Sequence, residues 1–278
     1  MIQYIADAPL WRYCTFLTGG PARRLGIAYN AHDLAQAAIN GALVLGRGSN
    51  VLIGDGGYDG DVVINRAERY EISGDRCTCD SGVPVSVLAR AYAEAGRAGL
   101  AWAYGMPGSA GGAAVGNAGA FGGCMADAVQ SVTVLVNGRC QTLSAEECGF
   151  VYRGSALKGT VLSLTLKAPA GDKDAERARG RENLLLRRQT QPQGASAGSV
   201  FKGTEQGAAG KWIEKAGLKG LTAGGAEISC KHANFIVNRG GATSGDILQL
   251  MNTAQAVVFD RFGIRLTREI KLLGDFFG

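Results

Sequence analysis

The sequence GMPGSAGGAAVGNAGAFGG, residues 105–123, decides the fold of this chain. It contains eight glycines and Pro107, has almost no bulky aliphatic side chain, and lies within an uncharged run from Ala98 to Met125. A membrane-spanning helix needs about 20 mostly apolar residues, so this glycine-rich stretch does not predict one. It predicts a compact loop, because glycine lets another surface approach to backbone distance. The N–H groups of such a loop often face a diphosphate; a turn-rich connection packed under a sheet is the alternative.

A second glycine-rich turn, GRGSN at residues 46–50, lies earlier in the chain. Apolar residues 42–45 and 51–53 flank it and predict short strands on both sides. P-loop and Rossmann signatures place a helix after the glycines, and neither signature occurs here. The turn could bind phosphate through its backbone N–H groups and the Ser49 hydroxyl, or it could simply connect two strands.

Composition narrows the class of protein. The 278 residues are 46% hydrophobic and 19% charged, which is typical of a globular chain of one large domain or a few small ones. Glycine is frequent, at 43 residues, which favours turns and backbone-lined sites over a helical bundle. The net charge of +5 suits an anionic ligand but is too small to predict nucleic-acid binding.

Cysteine and histidine usage argues against a metal site. The chain has seven cysteines without a CxxC pair, and only two histidines, His32 and His232. Cys77 and Cys79 are predicted on one face of a strand as buried thiols. The first residues carry neither a basic nor an apolar leader region, so we expect a cytoplasmic protein with reduced thiols and no membrane partner.

The periodicity predicts an α+β protein of two or three lobes, because helices and short strands do not alternate strictly. The clearest helix is residues 243–262, capped by Thr243 or Ser244 and stopped by Gly263. Asn137-Gly138 predicts a hairpin. Other predicted helices are 32–40, 84–95, 144–147, 176–188 and 210–216; predicted strands are 62–65, 70–72, 77–79, 132–136, 161–167, 232–238 and 264–273. Residues 191–198 are a predicted domain boundary.

Several motifs, taken together and in order, resemble one family. They are Gly19-Gly20-Pro21-Ala22, LGRGSN at 45–50, GMPGSAGG at 105–112, NAGAFGG at 117–123, YRGS at 152–155, GSVFK at 198–202, KHANFIVN at 231–238, and Glu269. The chain is similar to the UDP-N-acetylenolpyruvoylglucosamine reductases, flavoenzymes of bacterial cell-wall precursor synthesis. The spacing between Ser155 and Ser199 resembles the shorter variety, which lacks an inserted tyrosine-bearing loop.

The resemblance implies a two-lobed FAD-binding fold of the vanillyl-alcohol-oxidase type, followed by a C-terminal α+β substrate-binding domain. The implied domains are residues 1–65 for the first FAD-binding lobe, 66–190 for the second and 191–278 for the substrate domain. One departure stands out. The family usually continues Phe-Lys with Asn-Pro, whereas this chain has Gly203-Thr204, which puts one contact to the nucleotide-sugar in doubt.

The resemblance also implies the reaction. In the implied reaction NADPH reduces FAD, and hydride passes to the β-carbon of UDP-N-acetylglucosamine enolpyruvate, giving UDP-N-acetylmuramate for peptidoglycan. Neither glycine loop contains a histidine, so we expect the FAD to be bound non-covalently. The resemblance thus implies an oxidoreductase of cell-wall biogenesis, on which cell shape and division depend, and we expect a monomer.

The implied catalytic residues are Arg153, Ser199 and Glu269. Charge developing on the substrate carboxylate suits the bidentate grip of Arg153, and Ser199 is the implied proton donor to the α-carbon. Glu269 helps if it is protonated, or if it orients Arg153 or a water. Pattern alone would treat Arg153 and Glu269 as surface residues.

The resemblance assigns the binding residues as well. Those implied for substrate are Tyr152, Lys202 and Asn234. Those implied for FAD are Gly46, Arg47, Gly48, Ser49, Asn50, Gly105, Met106, Pro107, Gly108, Ser109, Gly111, Gly112, Asn117, Ala118 and Gly119.

Two alternatives stay open at this point. One is another FAD-dependent oxidoreductase of the same fold, acting on a sugar or a hydroxy acid. The other is a non-catalytic nucleotide-binding protein built from glycine loops.

Overall fold

The computed structural model describes residues 2–277. The strands are β1 Tyr4–Pro9, β2 Pro21–Ala28, β3 Leu43–Leu45, β4 Val51–Ile53, β5 Tyr58–Asn65, β6 Tyr70–Ser73, β7 Arg76–Asp80, β8 Gly119–Ala120, β9 Gly123–Cys124, β10 Val129–Val136, β11 Arg139–Ser144, β12 Thr160–Lys167, β13 Thr222–Ala223, β14 Ala226–Ile228, β15 Ile236–Asn238 and β16 Lys271–Leu273. The helices are α1 Ala31–Ile39, α2 Val85–Glu94, α3 Ala110–Val115, α4 Met125–Ala128, α5 Lys173–Thr190, α6 Ala209–Lys215 and α7 Ser244–Phe262.

The chain forms two compact units. The first contains residues 2–5, Leu25–Arg47 and Asp61–Arg187. The second contains Ala6–Arg24, Gly48–Gly60 and residues 188–277. Strands β1, β2 and β5 therefore have residues in both, and they share a four-stranded sheet with β3 in the order β1-β2-β5-β3. These two compact units do not correspond to the three domains that the resemblance implies, so the three-domain division stays a prediction.

The first unit is built on a five-stranded sheet in the order β11-β10-β12-β7-β6. Its core includes Leu88 and Tyr92 of α2, which pack with the buried thiols of Cys77 and Cys79. The pairing of β10 with β11 is a hairpin closed by Asn137 and Gly138 with φ of 50° and 75°, the left-handed conformations that a type I′ turn requires. The hairpin and the buried cysteine pair are both confirmed.

The second unit packs α7 against the three-stranded sheet β13-β14-β15. Thr243 caps α7 in a capping box: its Oγ1 accepts from the Asp246 N–H at 3.0 Å, and the Asp246 carboxylate accepts from the Thr243 N–H at 2.9 Å. Gly263 ends the helix at φ 70°. The face of α7 that packs into the core consists of five buried residues, Ile247, Leu250, Met251, Ala254 and Val258.

Several predicted elements are wrong in extent. The predicted helix 144–147 is absent: Ser144 ends β11 and residues 145–149 form a turn, although Ser144 and Glu147 exchange the two hydrogen bonds of a capping box. The predicted strand 232–238 has a turn at residues 233–234 and an isolated bridge at Phe235, and it is a regular strand only in β15. The predicted strand 264–273 is regular only in β16, and Leu272 in that strand is exposed. The central glycine-rich stretch contains the short helix α3 rather than loop throughout.

Among residues 2–277, no helix combines the length and the hydropathy needed to cross a bilayer.

Candidate active site

Gly46 of the GRGSN turn and Ser109 of the central loop, both in the first unit, are in contact. A Cβ on Gly46 would lie 2.6 Å from the Oγ of Ser109, which is buried. Ser109 is the N-cap residue of α3, and its Oγ accepts a hydrogen bond from the Gly112 N–H at 3.4 Å. Glycine at position 46 is therefore required by this close approach.

Part of the hydrogen-bonding capacity of the central loop is used inside the protein. The Ala110 N–H donates to Val83 O at 2.8 Å, and the Gly111 N–H donates to Ser81 O at 2.8 Å. Residues 81–83 therefore hold the start of α3 in place. The sequence analysis assigned no role to residues 81–83. Their position directly before Pro84, which begins the predicted helix 84–95, was the one local feature that marked them.

The GRGSN turn has more donors available. Within residues 2–277, the backbone N–H groups of Arg47, Gly48 and Ser49 have no protein acceptor. Gly48 has φ 60°, and a Cβ there would overlap Tyr13 O. The Gly48 carbonyl also accepts from the Thr15 N–H at 3.0 Å. The turn is thus fixed on one side by residues 13–15, while successive N–H groups remain for an anion.

Arg153 lies in a tight turn of the first unit. Val151 and Gly154 exchange backbone hydrogen bonds of 3.0 and 3.2 Å, and Arg153 between them has φ 54°. A non-glycine residue in this conformation costs roughly 1–2 kcal/mol, and such strain is concentrated at functional sites. The guanidinium carbon lies 5.3 Å from the ring centroid of Tyr152, whose side chain is exposed.

Asn117 and the end of α3 hold this turn. The Asn117 amide donates to Val151 O at 3.0 Å and accepts from the Ala126 N–H at 3.0 Å. The Ser155 hydroxyl donates to Val115 O at 2.9 Å. The side chain of Asn117, predicted to bind cofactor, therefore also positions the Arg153 turn.

The second unit brings Ser199, Lys202 and Glu269 onto paired backbone segments. The Glu269 N–H donates to Val200 O at 2.8 Å, and the Lys202 N–H donates to Thr267 O at 2.9 Å. Ser199 forms a bridge with Phe235 on the other side. Ser199 and Glu269 are both half-buried, so each is accessible enough to meet a ligand.

Asn234 is the residue that fixes this arrangement. Its side-chain amide accepts from the Phe201 N–H at 3.0 Å and donates to Phe201 O at 2.8 Å. Its own carbonyl accepts from the Val200 N–H at 2.8 Å. Asn234 is buried, so the structure shows a role in holding residues 199–202, while the contact to substrate predicted for it stays a prediction.

The last residue of GRGSN contacts the predicted catalytic glutamate. The Asn50 amide donates to Glu269 O at 3.2 Å, and the Lys271 N–H donates to Asn50 O at 3.1 Å. These bonds extend the parallel pairing of β4 with β16. Tyr152 and Arg153 belong to the first unit, and the other predicted catalytic and substrate-binding residues belong to the second.

Comparison with known proteins identifies the family. The model of the UDP-N-acetylenolpyruvoylglucosamine reductase C-terminal domain matches residues 190–273, and a model described as an FAD binding domain matches residues 32–144. The reductase of that name from Chloroflexus aurantiacus is 39% identical over 286 residues, covering 96% of each chain. The chain belongs to the UDP-N-acetylenolpyruvoylglucosamine reductase family.

Two other reductases of this family align with almost the whole of this chain. The Heliobacterium modesticaldum reductase is 40% identical and covers 98% of this chain and 91% of its own. The solved structure of the Thermus caldophilus reductase superposes with a TM-score of 0.86 at 34% identity, covering 98% of this chain and 99% of that one. The predicted family and the predicted FAD-binding α+β fold class are therefore confirmed.

The two family models cover different parts of the predicted site. All of the predicted FAD-binding residues lie within the match to the FAD binding domain. Ser199, Lys202, Asn234 and Glu269 lie within the match to the C-terminal domain. Tyr152 and Arg153 lie outside both matches, so their roles depend on the geometry of their turn.

Proposed function

We propose that this chain reduces UDP-N-acetylglucosamine enolpyruvate to UDP-N-acetylmuramate, with FAD as cofactor and NADPH as reductant, in the synthesis of peptidoglycan precursors. The family membership supports the reaction class and the cofactor. The observation that carries the proposal is the pairing of the Ser199 and Glu269 segments inside the region that matches the reductase C-terminal domain.

The residues present fit a dinucleotide. The Arg47, Gly48 and Ser49 N–H groups have no protein acceptor in the part of the chain that the structure describes, and backbone N–H groups in succession are a common diphosphate site. The capped start of α3 lies against Gly46 of the same turn. When bound, FAD supplies the hydride that reduces the substrate and is itself reduced by NADPH.

The environment of Cys124 favours a protonated thiol, which supports non-covalent binding of the flavin. Its thiol donates to Asp127 Oδ2 at 3.2 Å. Burial, and then the hydrogen bond to Asp127, raises the pKa of Cys124. A thiol kept protonated in this way is a poor nucleophile, because the thiolate is the reactive form.

Arg153 stabilises the charge that develops on the substrate. Hydride addition to the β-carbon of an unsaturated carboxylate places negative charge on that carboxylate. A guanidinium held in a fixed turn can meet both oxygens without reorganising during the reaction. The left-handed backbone of Arg153 and the anchoring of its turn by Asn117 provide this preorganisation.

Ser199 donates the proton to the α-carbon. A serine hydroxyl is a weak acid, so it needs a group to replace its proton and a fixed position relative to the substrate. Asn234 and Glu269 fix that position through the backbone of Val200 and Phe201. Lys202 lies three residues on and supplies positive charge for an anionic substrate. A monomeric state, a cytoplasmic location and the absence of nucleic-acid and membrane partners stay predictions.

The test separates the two half-reactions. In Ser199→Ala, flavin reduction by NADPH should keep its wild-type rate, while flavin reoxidation by the enolpyruvyl substrate should slow by about 10²–10⁴-fold, the range typical of a lost general acid. Ser73→Ala is the control, because Ser73 is an exposed serine of β6. Anaerobic stopped-flow absorbance of the flavin measures both rates. Equal slowing of both half-reactions would refute Ser199 as the proton donor.

A further inference from the structure

His232 is a half-buried imidazole to which the proposed reaction assigns no role. Its Nδ1 accepts a hydrogen bond from the Asn234 N–H at 3.2 Å. Its carbonyl accepts from the Phe235 N–H at 2.9 Å, and its ring meets the Phe235 ring edge-on at 4.8 Å. His232 therefore closes the turn that leads into Asn234.

The bond to Asn234 determines the protonation state of the imidazole. A ring nitrogen that accepts a hydrogen bond carries no proton, so the proton of neutral His232 is on Nε2. The imidazolium has N–H groups at both positions. Protonated His232 would thus place a donor against the donor of Asn234.

Asn234 transmits this contact to the proposed proton donor. Its side chain holds both backbone polar groups of Phe201, and its carbonyl holds the Val200 N–H. Ser199 directly precedes these two residues. A change in the backbone of Asn234 therefore acts on the segment that carries Ser199.

We propose that His232 is a positioning residue, which in its neutral form holds Asn234 and, through it, the Ser199 segment for proton transfer. This inference rests on the proposed function of Ser199. Protonation of His232 removes an acceptor from Asn234 and releases the segment, so substrate reduction is lost in acid while flavin reduction is not.

The surroundings of His232 favour the neutral form. Burial lowers the pKa of His232 below its usual value near 6.5, with a smaller lowering contribution from Lys219. The His232 carbonyl and Glu214 act in the opposite direction. Lys219 and Glu214 form an ion pair of 2.7 Å. The start of α6 packs on the ring, since a Cβ on Gly210 would lie 3.3 Å from His232 Cε1.

The variants follow from the geometry. His232→Asn keeps an acceptor, because asparagine side chains commonly accept from the N–H two residues on, and this acceptor does not titrate. His232→Phe keeps a ring against Phe235 and loses the acceptor. His32→Asn is the matched control, because His32 is the other histidine of the chain and is exposed on α1.

The experiment measures both half-reactions of the FAD-loaded proteins by anaerobic stopped flow from about pH 5 to pH 8.5. We expect wild-type reoxidation by the enolpyruvyl substrate to fall as the pH drops through a value below about 6.5. His232→Asn should keep the neutral-pH rate within about twofold and lose this acid limb. His232→Phe should be about five- to tenfold slower throughout, as for one lost hydrogen bond. His32→Asn should match wild type.

A second readout does not depend on turnover. Nuclear magnetic resonance follows the His232 imidazole and the backbone amides of Phe201 and Asn234 during the same pH titration. We expect the amides to shift with the imidazole in wild type and not to shift in His232→Asn. If wild type is not reoxidised by this substrate but the amides follow the imidazole, the proposed function fails and the positioning contact stands. The inference is overturned if the amide shifts of Phe201 and Asn234 do not follow the titration of the His232 imidazole. It is also overturned if His232→Phe has wild-type rates, or if that variant slows both half-reactions equally.

Discussion

The contact between the two glycine loops predicts how Gly46→Ala will behave. The added Cβ would lie 2.6 Å from Ser109 Oγ, closer than real Cβ atoms come to oxygen. Gly46 does not have positive φ, so backbone strain does not contribute. The substitution must either move the GRGSN turn or turn the Ser109 hydroxyl away from the N-terminus of α3.

The magnitude follows from those two routes. Turning Ser109 Oγ away loses an N-cap hydrogen bond, which is typically worth about 1 kcal/mol. Keeping it in place overpacks a buried contact, at a cost of about 1–3 kcal/mol. The free energy of unfolding should therefore fall by about 1–3 kcal/mol. Replacing glycine also stiffens the unfolded chain, which offsets about 0.4–1 kcal/mol of this loss.

A double-mutant cycle isolates the contact. In Ser109→Ala the Oγ is gone, and the Ser109 Cβ lies 3.6 Å from the position of the new Cβ, an ordinary van der Waals distance. Gly46→Ala should then cost almost nothing, so the double variant should be about 1–2 kcal/mol more stable than the sum of the single changes predicts. The unfolded-state effect of alanine is the same in both backgrounds and cancels.

The assay is urea unfolding of the four proteins after removal of FAD, followed by tryptophan fluorescence and circular dichroism. Equal slopes against urea would show that the unfolded states are comparable. Strict additivity of the two substitutions would refute the contact between Gly46 and the start of α3.

Two further predictions concern the second unit. Asp55 accepts from the N–H groups of Ser244 and Gly245 at 2.8 and 2.9 Å, so Asp55→Ala should lower the free energy of unfolding by about 1–2 kcal/mol in urea, whereas Asp59→Ala at an exposed ion pair should change little. Arg239 grips the carboxylate of Glu227 and lowers its pKa. The ion pair stabilises the folded protein above the ordinary glutamate pKa of about 4.3, and this contribution is lost as the pH falls through the lowered pKa of Glu227. Arg239→Gln should therefore make the melting temperature depend less on pH below about pH 5. Parallel melting-temperature profiles for the variant and the wild type would contradict this.

The local parts of the fold were readable from sequence. The apolar spacing of α7, with Thr243 before it and Gly263 after it, fixes the helix and its buried face. Asn137-Gly138 specifies its turn because its conformation suits few other residues. These signals depend on neighbours within a few positions, so no tertiary information was needed.

The site was only partly readable. The ordered motifs pointed to the family and to the residues on the two glycine loops, but not to how these residues are held. The role of residues 81–83 could not be predicted from sequence, because they act through backbone carbonyl groups, which every residue has. Asn234 was predicted to contact substrate, and its clasp on Phe201 depends on a segment 33 positions away in the chain.

The sequence by itself thus determined the family, the cofactor class, the clearest helix and the tight turns. Tertiary structure decided where regular strands end: residues 264–270 were predicted as part of a strand, yet their backbone pairs with residues 200–202 through isolated hydrogen bonds and one bridge rather than a continuous ladder. It also decided which glycines are indispensable and which groups position Ser199 and Glu269. The physical reason is that hydrogen-bond partners and close approaches come from distant parts of the chain; Asn50 and Glu269, 219 positions apart, are in contact only because β4 pairs with β16.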